Sequence, residues 1–112
     1  MKMDAIGFES EMNRGFLQIL ILAVLEKPFY GYGMLKHFEE IGYPVEENTL
    51  YPLLRRLEKN GWINGQWEVS GERPRKVYRL TTPGKAFRGK LFALWKEQNK
   101  ILIRLLEDKS HA

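Results

Sequence analysis

Asn48 to Gly61 reads NTLYPLLRRLEKNG, and its spacing decides the fold. On a helix turning 100° per residue, Leu50, Leu53, Leu54 and Leu57 fall within one arc roughly 100° wide. Tyr51, Pro52, Arg55, Arg56 and Lys59 fall on the other side. One face must be buried. The other shows an aromatic ring, two guanidiniums and an ammonium to something outside. Gly61 ends such a helix, and Asn48 or Thr49 can cap its start. Pro52 lacks an N–H and fits best within the first three helical positions, which favours Thr49 as the cap. It also biases Tyr51 away from helical angles. The spacing predicts a helix suited to the major groove of DNA.

Upstream, Gly42-Tyr43-Pro44 interrupts the pattern, and before it Met34, Leu35, Phe38 and Ile41 recur at helical spacing from Gly31 or Tyr32 onward. Phe29 to Gly33, FYGYG, reads as a turn after Lys27-Pro28. Residues 13–26, NRGFLQILILAVLE, predict a first helix; Phe16 to Leu25 is apolar almost all round, so cover is needed on most sides and a second chain is a reasonable source. Residues 1–12 hold Met3, Ile6 and Phe8 at loose spacing, an arm that either packs on a partner subunit or frays.

Downstream the period changes. Residues 62–69, WINGQWEV, and residues 75–81, RKVYRLT, read as strands joined by the turn SGERP. A hairpin directly after a recognition-type helix is a wing, and residues 13–81 therefore read as a winged helix-turn-helix domain. Residues 70–79 carry Arg73, Arg75, Lys76 and Arg79 against Glu72, a net +3 of the whole chain's +4. Residues 82–109 form a last helix with Thr81 or Thr82 as cap and Pro83 near its start. Phe87, Leu91, Leu94, Gln98, Ile101 and Leu105 make one heptad seam; Phe92, Trp95, Asn99, Leu102 and Leu106 make a second beside it. Two seams need two partners: the helix's own domain and, most simply, the same helix of a second subunit. Either seam can face the partner. The fold class expected is mainly α with a small β-hairpin.

The 112 residues make one domain with one appended element, and a hydrophobic share of 44% allows a packed core. A formal charge of +4 and a pI of about 9.4 suit an anionic partner, modestly. There is no cysteine, which excludes disulfides, thiolate metal sites and cysteine nucleophiles. The longest apolar run, Ile19 to Leu25, is too short to span a bilayer, and the N-terminus has no apolar signal segment, so a cytoplasmic protein is expected. His37 and His111 stand alone, and Ser10, Ser70 and Ser110 have no base nearby in sequence. No metal, cofactor or enzyme activity is expected.

Several of these stretches resemble the PadR family of bacterial transcriptional regulators. They are Arg14-Gly15 with LQILILAVL, Tyr30-Gly31-Tyr32, TLYPLLRRLE from Thr49 to Glu58, Gly61-Trp62-Ile63, RPRKVYRLT from Arg73 to Thr81, and Gly84. The resemblance covers about residues 12–108. It implies a winged helix-turn-helix, a dimer through the C-terminal helix, and the short subgroup of repressors, some of which respond to aromatic or drug-like compounds. Two positions depart from the family pattern: Asn48, where many members have glycine, and Pro83, where an acidic or small residue is common.

The expected DNA contacts follow. Asn48, Thr49, Tyr51 and Pro52 lie at the N-terminal turn of the reading helix, with Arg55, Arg56 and Lys59 beyond. The bland alternative is a solvated face, since residues 46–60 also carry Glu46, Glu47 and Glu58. On the wing, Arg73, Arg75 and Lys76 address the minor groove or the flanking backbone, or else only keep a hairpin tip soluble. Tyr30, Tyr32 and Lys36 touch phosphates at the start of the second helix, or in part pack in the core. The expected dimer interface is Phe87, Leu91, Leu94, Trp95, Gln98, Ile101, Leu102 and Leu105. Across a two-fold axis, Trp95 and its mate can sandwich a flat aromatic ligand, with Phe8, Phe92 and Leu102 as neighbours, or Trp95 is an ordinary packed aromatic. The partners expected are thus a pseudo-palindromic duplex DNA, a second copy and a planar aromatic effector. A winged-helix module that binds protein and not DNA is the rival reading.

Overall fold

The structure, a computed structural model, describes residues 5–108. Residues 1–4 of the expected arm, with Met3, and Lys109, Ser110 and His111 lie outside the described residues. The element order is α1 (Ala5–Val24), β1 (Phe29–Tyr30), α2 (Gly31–Glu40), α3 (Glu47–Lys59), β2 (Ile63–Glu68), β3 (Arg75–Leu80) and α4 (Thr82–Glu107). The architecture is mainly helical with a small antiparallel sheet, a winged helix.

Leu17, Ile21, Leu22 and Leu25 at the end of the first helical stretch meet Met34 and Phe38 of α2 and Leu50, Leu53, Leu54 and Leu57 of α3 in one buried core. Ile63 and Tyr78 close it from the sheet. The four α3 leucines predicted to be buried are buried, with Leu50 and Leu54 at 0% exposure.

Four expectations are corrected. The first helix begins at Ala5, not at residue 13: no proline interrupts Ala5–Val24, so most of the expected arm simply continues the helix. Phe29-Tyr30 is a strand, not only a turn. It pairs antiparallel with β3 through Phe29–Tyr78 and Tyr30–Val77, giving a three-stranded sheet of order β1-β3-β2 where only a hairpin was expected. The cap of α3 is Glu46, not Thr49: its extended backbone lets its carbonyl accept from the N–H groups of Thr49 and Leu50, both at 3.0 Å, without any side-chain cap. Pro52 therefore stands inside the helix, past the first turn. Ile41, expected on the apolar face of α2, is the residue after its last turn and is 57% exposed.

The joint between sheet and α4 is closely made. Thr81 caps α4 by accepting from the N–H of Gly84 at 2.9 Å, with Pro83 in the first turn. The Thr81 hydroxyl donates to the carbonyl of Gly61 at 2.6 Å, and the ring of Trp62 stacks on Phe87 with centroids 4.3 Å apart. Gly61 takes φ +82°, the left-handed value that ends α3 and turns the chain into β2. Arg88 of α4 pairs with Glu26 at 2.6 Å. Phe87 and Leu91 thus pack on the chain's own core, so the seam expected to face a partner spends its first two rungs within the chain. Beyond them α4 is largely bare: Leu94, Trp95, Ile101, Leu102, Leu105 and Leu106 are all exposed.

Candidate nucleic-acid interface

The exposed arc of α3 has three sectors. At 100° per residue, Asn48, Pro52 and Lys59 form an outward ridge, with Arg55 and Tyr51 turned to one flank and Arg56 and Thr49 to the other. The cavities on either flank agree. Tyr51 and Arg55 line a notch of about 420 Å³ shared with Tyr32 of α2 and with Trp67, Arg75 and Lys76 of the wing. Arg56 lines a groove of about 320 Å³ with Asn48, Thr49, Pro52 and Arg14 of α1. Arg14 was not singled out as a contact in the sequence; only folding brings α1 beside the flank of α3.

Asn48, Pro52, Arg55, Arg56, Lys59, Arg73, Arg75 and Lys36 are all exposed, and Tyr32 is 70% exposed, which settles its position against core packing. Among the described residues the ion pairs are Lys76–Glu58 and Arg88–Glu26, so the guanidiniums of Arg55, Arg56, Arg73 and Arg75 have no carboxylate partner. Tyr30 and Tyr51 are half-buried. The Tyr30 hydroxyl donates to Glu68 at 2.7 Å, and that bond raises its pKa; the Arg75 guanidinium lies 4.7 Å above its ring. Burial raises the pKa of Tyr51.

Lys76 differs from the other wing cations. Its ammonium is 2.9 Å from Glu58 Oε1 on α3, while Glu58 Oε2 accepts from the N–H of Gly65 at 3.2 Å. One carboxylate therefore ties the reading helix to both wing strands. A side chain at position 65 would collide with the Lys76 stem as it crosses the sheet. The hydrogen bond to Glu58 raises the Lys76 pKa. Lys76, expected as a free wing contact, is a strut: its ammonium is paired with a carboxylate eighteen residues earlier in the chain, which only folding brings beside it. Among the described residues no group of three His, Asp or Glu gathers as metal ligands would, and no helix is long and apolar enough to cross a membrane.

Residues 21–90, more than half of the chain, match the model of the transcriptional regulator PadR-like family. The chain belongs to that family. A PadR family transcriptional regulator from Eggerthella lenta has a crystal structure similar to it at a TM-score of 0.84, with 39% identity over 91% of each chain. An uncharacterized protein of Lysinibacillus sphaericus is 35% identical over 103 residues, 88% of this chain and 94% of its own. A transcriptional regulator of Mycobacterium tuberculosis is 34% identical over 77 residues, 68% of this chain and 72% of its own. The PadR match spans the end of α1, α2, α3, the wing and the first turns of α4.

Proposed function

We propose that this PadR-family chain is a sequence-specific repressor acting as a homodimer, each copy laying α3 in a major groove and its wing against the adjoining minor groove or backbone. The observation that carries the reading is the division of α3: four leucines buried, and a ridge of Asn48, Pro52 and Lys59 left open, flanked by the guanidiniums of Arg55 and Arg56, which have no carboxylate partner among the described residues. Unpaired guanidiniums suit phosphate oxygens and guanine edges. Two copies address half-sites of a pseudo-palindrome about one helical turn apart. The bare apolar stripe of α4, with Ile6, Phe8 and Met12 exposed on α1, supports a second copy as its cover. Trp95, 42% exposed on that stripe with Leu102 nearby in its seam, supports a planar aromatic effector held between the two copies; Phe92 is half-buried.

The test is selection of duplexes from a random pool by the purified chain, followed by retention assays. Arg73→Ala/Arg75→Ala is expected to abolish retention while light scattering still reports a dimer. Undiminished retention would mean that the wing does not hold the duplex, and failure of the parent chain to retain any duplex would favour a module that docks protein. For the effector, saturable quenching of indole emission by a planar aromatic compound should disappear in Trp95→Ala.

A further inference from the structure

Two neighbouring grooves of a duplex share one wall, the sugar–phosphate strand between them. A chain that puts a helix in one groove and a hairpin in the next must straddle that strand. In this molecule a notch lies between α3 and the wing, where such a strand would have to pass. Its lining suits such a guest. Trp67 is 65% exposed, an apolar plane on a strand whose only other large apolar residue, Ile63, is buried in the core. Register sets it opposite Lys76, two pairs outward from Gly65 and Tyr78, so it stands on the sheet face that carries the Glu58–Lys76 strut. Arg55 and Arg75 lie on the rim without carboxylate partners among the described residues, and the exposed Tyr32 adds a hydroxyl donor. Glu68, the acid paired in register with Arg75, is engaged by the Tyr30 hydroxyl.

Resting on the DNA-binding reading above, we propose that this notch is a backbone saddle. Trp67 packs its indole on the carbon face of a deoxyribose in the dividing strand, and Arg55 and Arg75 take the phosphates on either side. Arg55 is then a positioning contact, and base reading falls to the ridge of Asn48, Pro52 and Lys59. Lys76 keeps the saddle open because Glu58 holds its ammonium away from the guest.

A backbone contact is indifferent to sequence, so a mixed-sequence duplex oligonucleotide at low salt is a sufficient probe. In the full-length Trp62→Phe/Trp95→Phe chain, Trp67 is the sole indole, and its emission should change saturably as the duplex is added. Trp67→Ala should weaken binding of that duplex roughly tenfold, equivalent to about 1.4 kcal/mol, with the salt slope unchanged. Arg75→Ala should lower the slope by about 0.9. Duplex binding that leaves Trp67 emission unmoved, with Trp67→Ala binding like the parent, overturns the saddle and leaves the DNA-binding reading standing. Absence of duplex binding at every salt concentration overturns both. The indole is exposed, so a circular dichroism spectrum matching the parent is expected for each variant, and the emission titration does not depend on the alanine substitution.

Discussion

At the residue scale, the Glu58–Lys76 pair gives a signature in pH. Glu58 raises the Lys76 pKa, and burial raises that of Tyr78. A lysine raised on folding contributes stability that is fully present below its unfolded pKa and lost as pH climbs through the folded one. The buried phenol, favoured neutral, acts in the same direction. Stability should therefore fall above about pH 10, measured as urea midpoints along a pH series. Glu58→Gln should cost about 1 kcal/mol near neutrality, a part-exposed pair being worth no more, and should flatten the lysine share of that fall. Gly84→Ala is expected to cost more, about 2 kcal/mol, because a Cβ there would overlap the backbone carbonyl of Trp62, which cannot step aside as a side chain can. A thermal melt lowered by roughly 10 °C would report it. None of these partnerships was legible in the sequence. Glu58 looked like one of three acids offsetting the bases of α3, and Lys76 like its neighbours Arg73 and Arg75. What separates Lys76 is a contact across eighteen residues that only the wing's fold creates.

At the scale of elements, apolar spacing placed α2, β2, β3, α4 and the end of α3 to within a residue or two. Where it failed, the cause is local. β1 is two residues long and takes its strand character from β3, so no periodicity can announce it. The start of α3 was drawn too late because proline was assigned to a first turn. The helix admits it further in, with its ring on the exposed side. Position 52 therefore withholds one helical hydrogen bond. Pro52→Ala should restore an N–H and raise stability by roughly 1 kcal/mol, read from denaturant unfolding. A destabilised variant would mean that the ring's rigidity outweighs the missing donor.

At the scale of the whole molecule, the radius of gyration is 17.0 Å, against about 13 Å for a compact chain of this length. The excess comes from α4, 26 residues or about 39 Å long, whose far half finds no cover among the described residues. Leu102→Glu/Leu105→Glu should convert a dimer to a monomer in light scattering with its helical content kept; an intact dimer would place the contact on another face. The double seam was legible, but its split was not. Heptad spacing cannot say that Phe87 and Leu91 are claimed by Trp62 and the core while later rungs are free. That split has a mechanical consequence. The near end of α4 is bolted to the joint between α3 and β2 by the Thr81 hydroxyl and the Trp62–Phe87 stack, and to the turn after α1 by the Arg88–Glu26 pair. The rod is thus a lever with its fulcrum under the hairpin. A tilt of about 5° at that fulcrum sweeps the free tip through about 3 Å. Conversely, in the proposed dimer a small wedge driven between two such tips would be felt at the base of each wing.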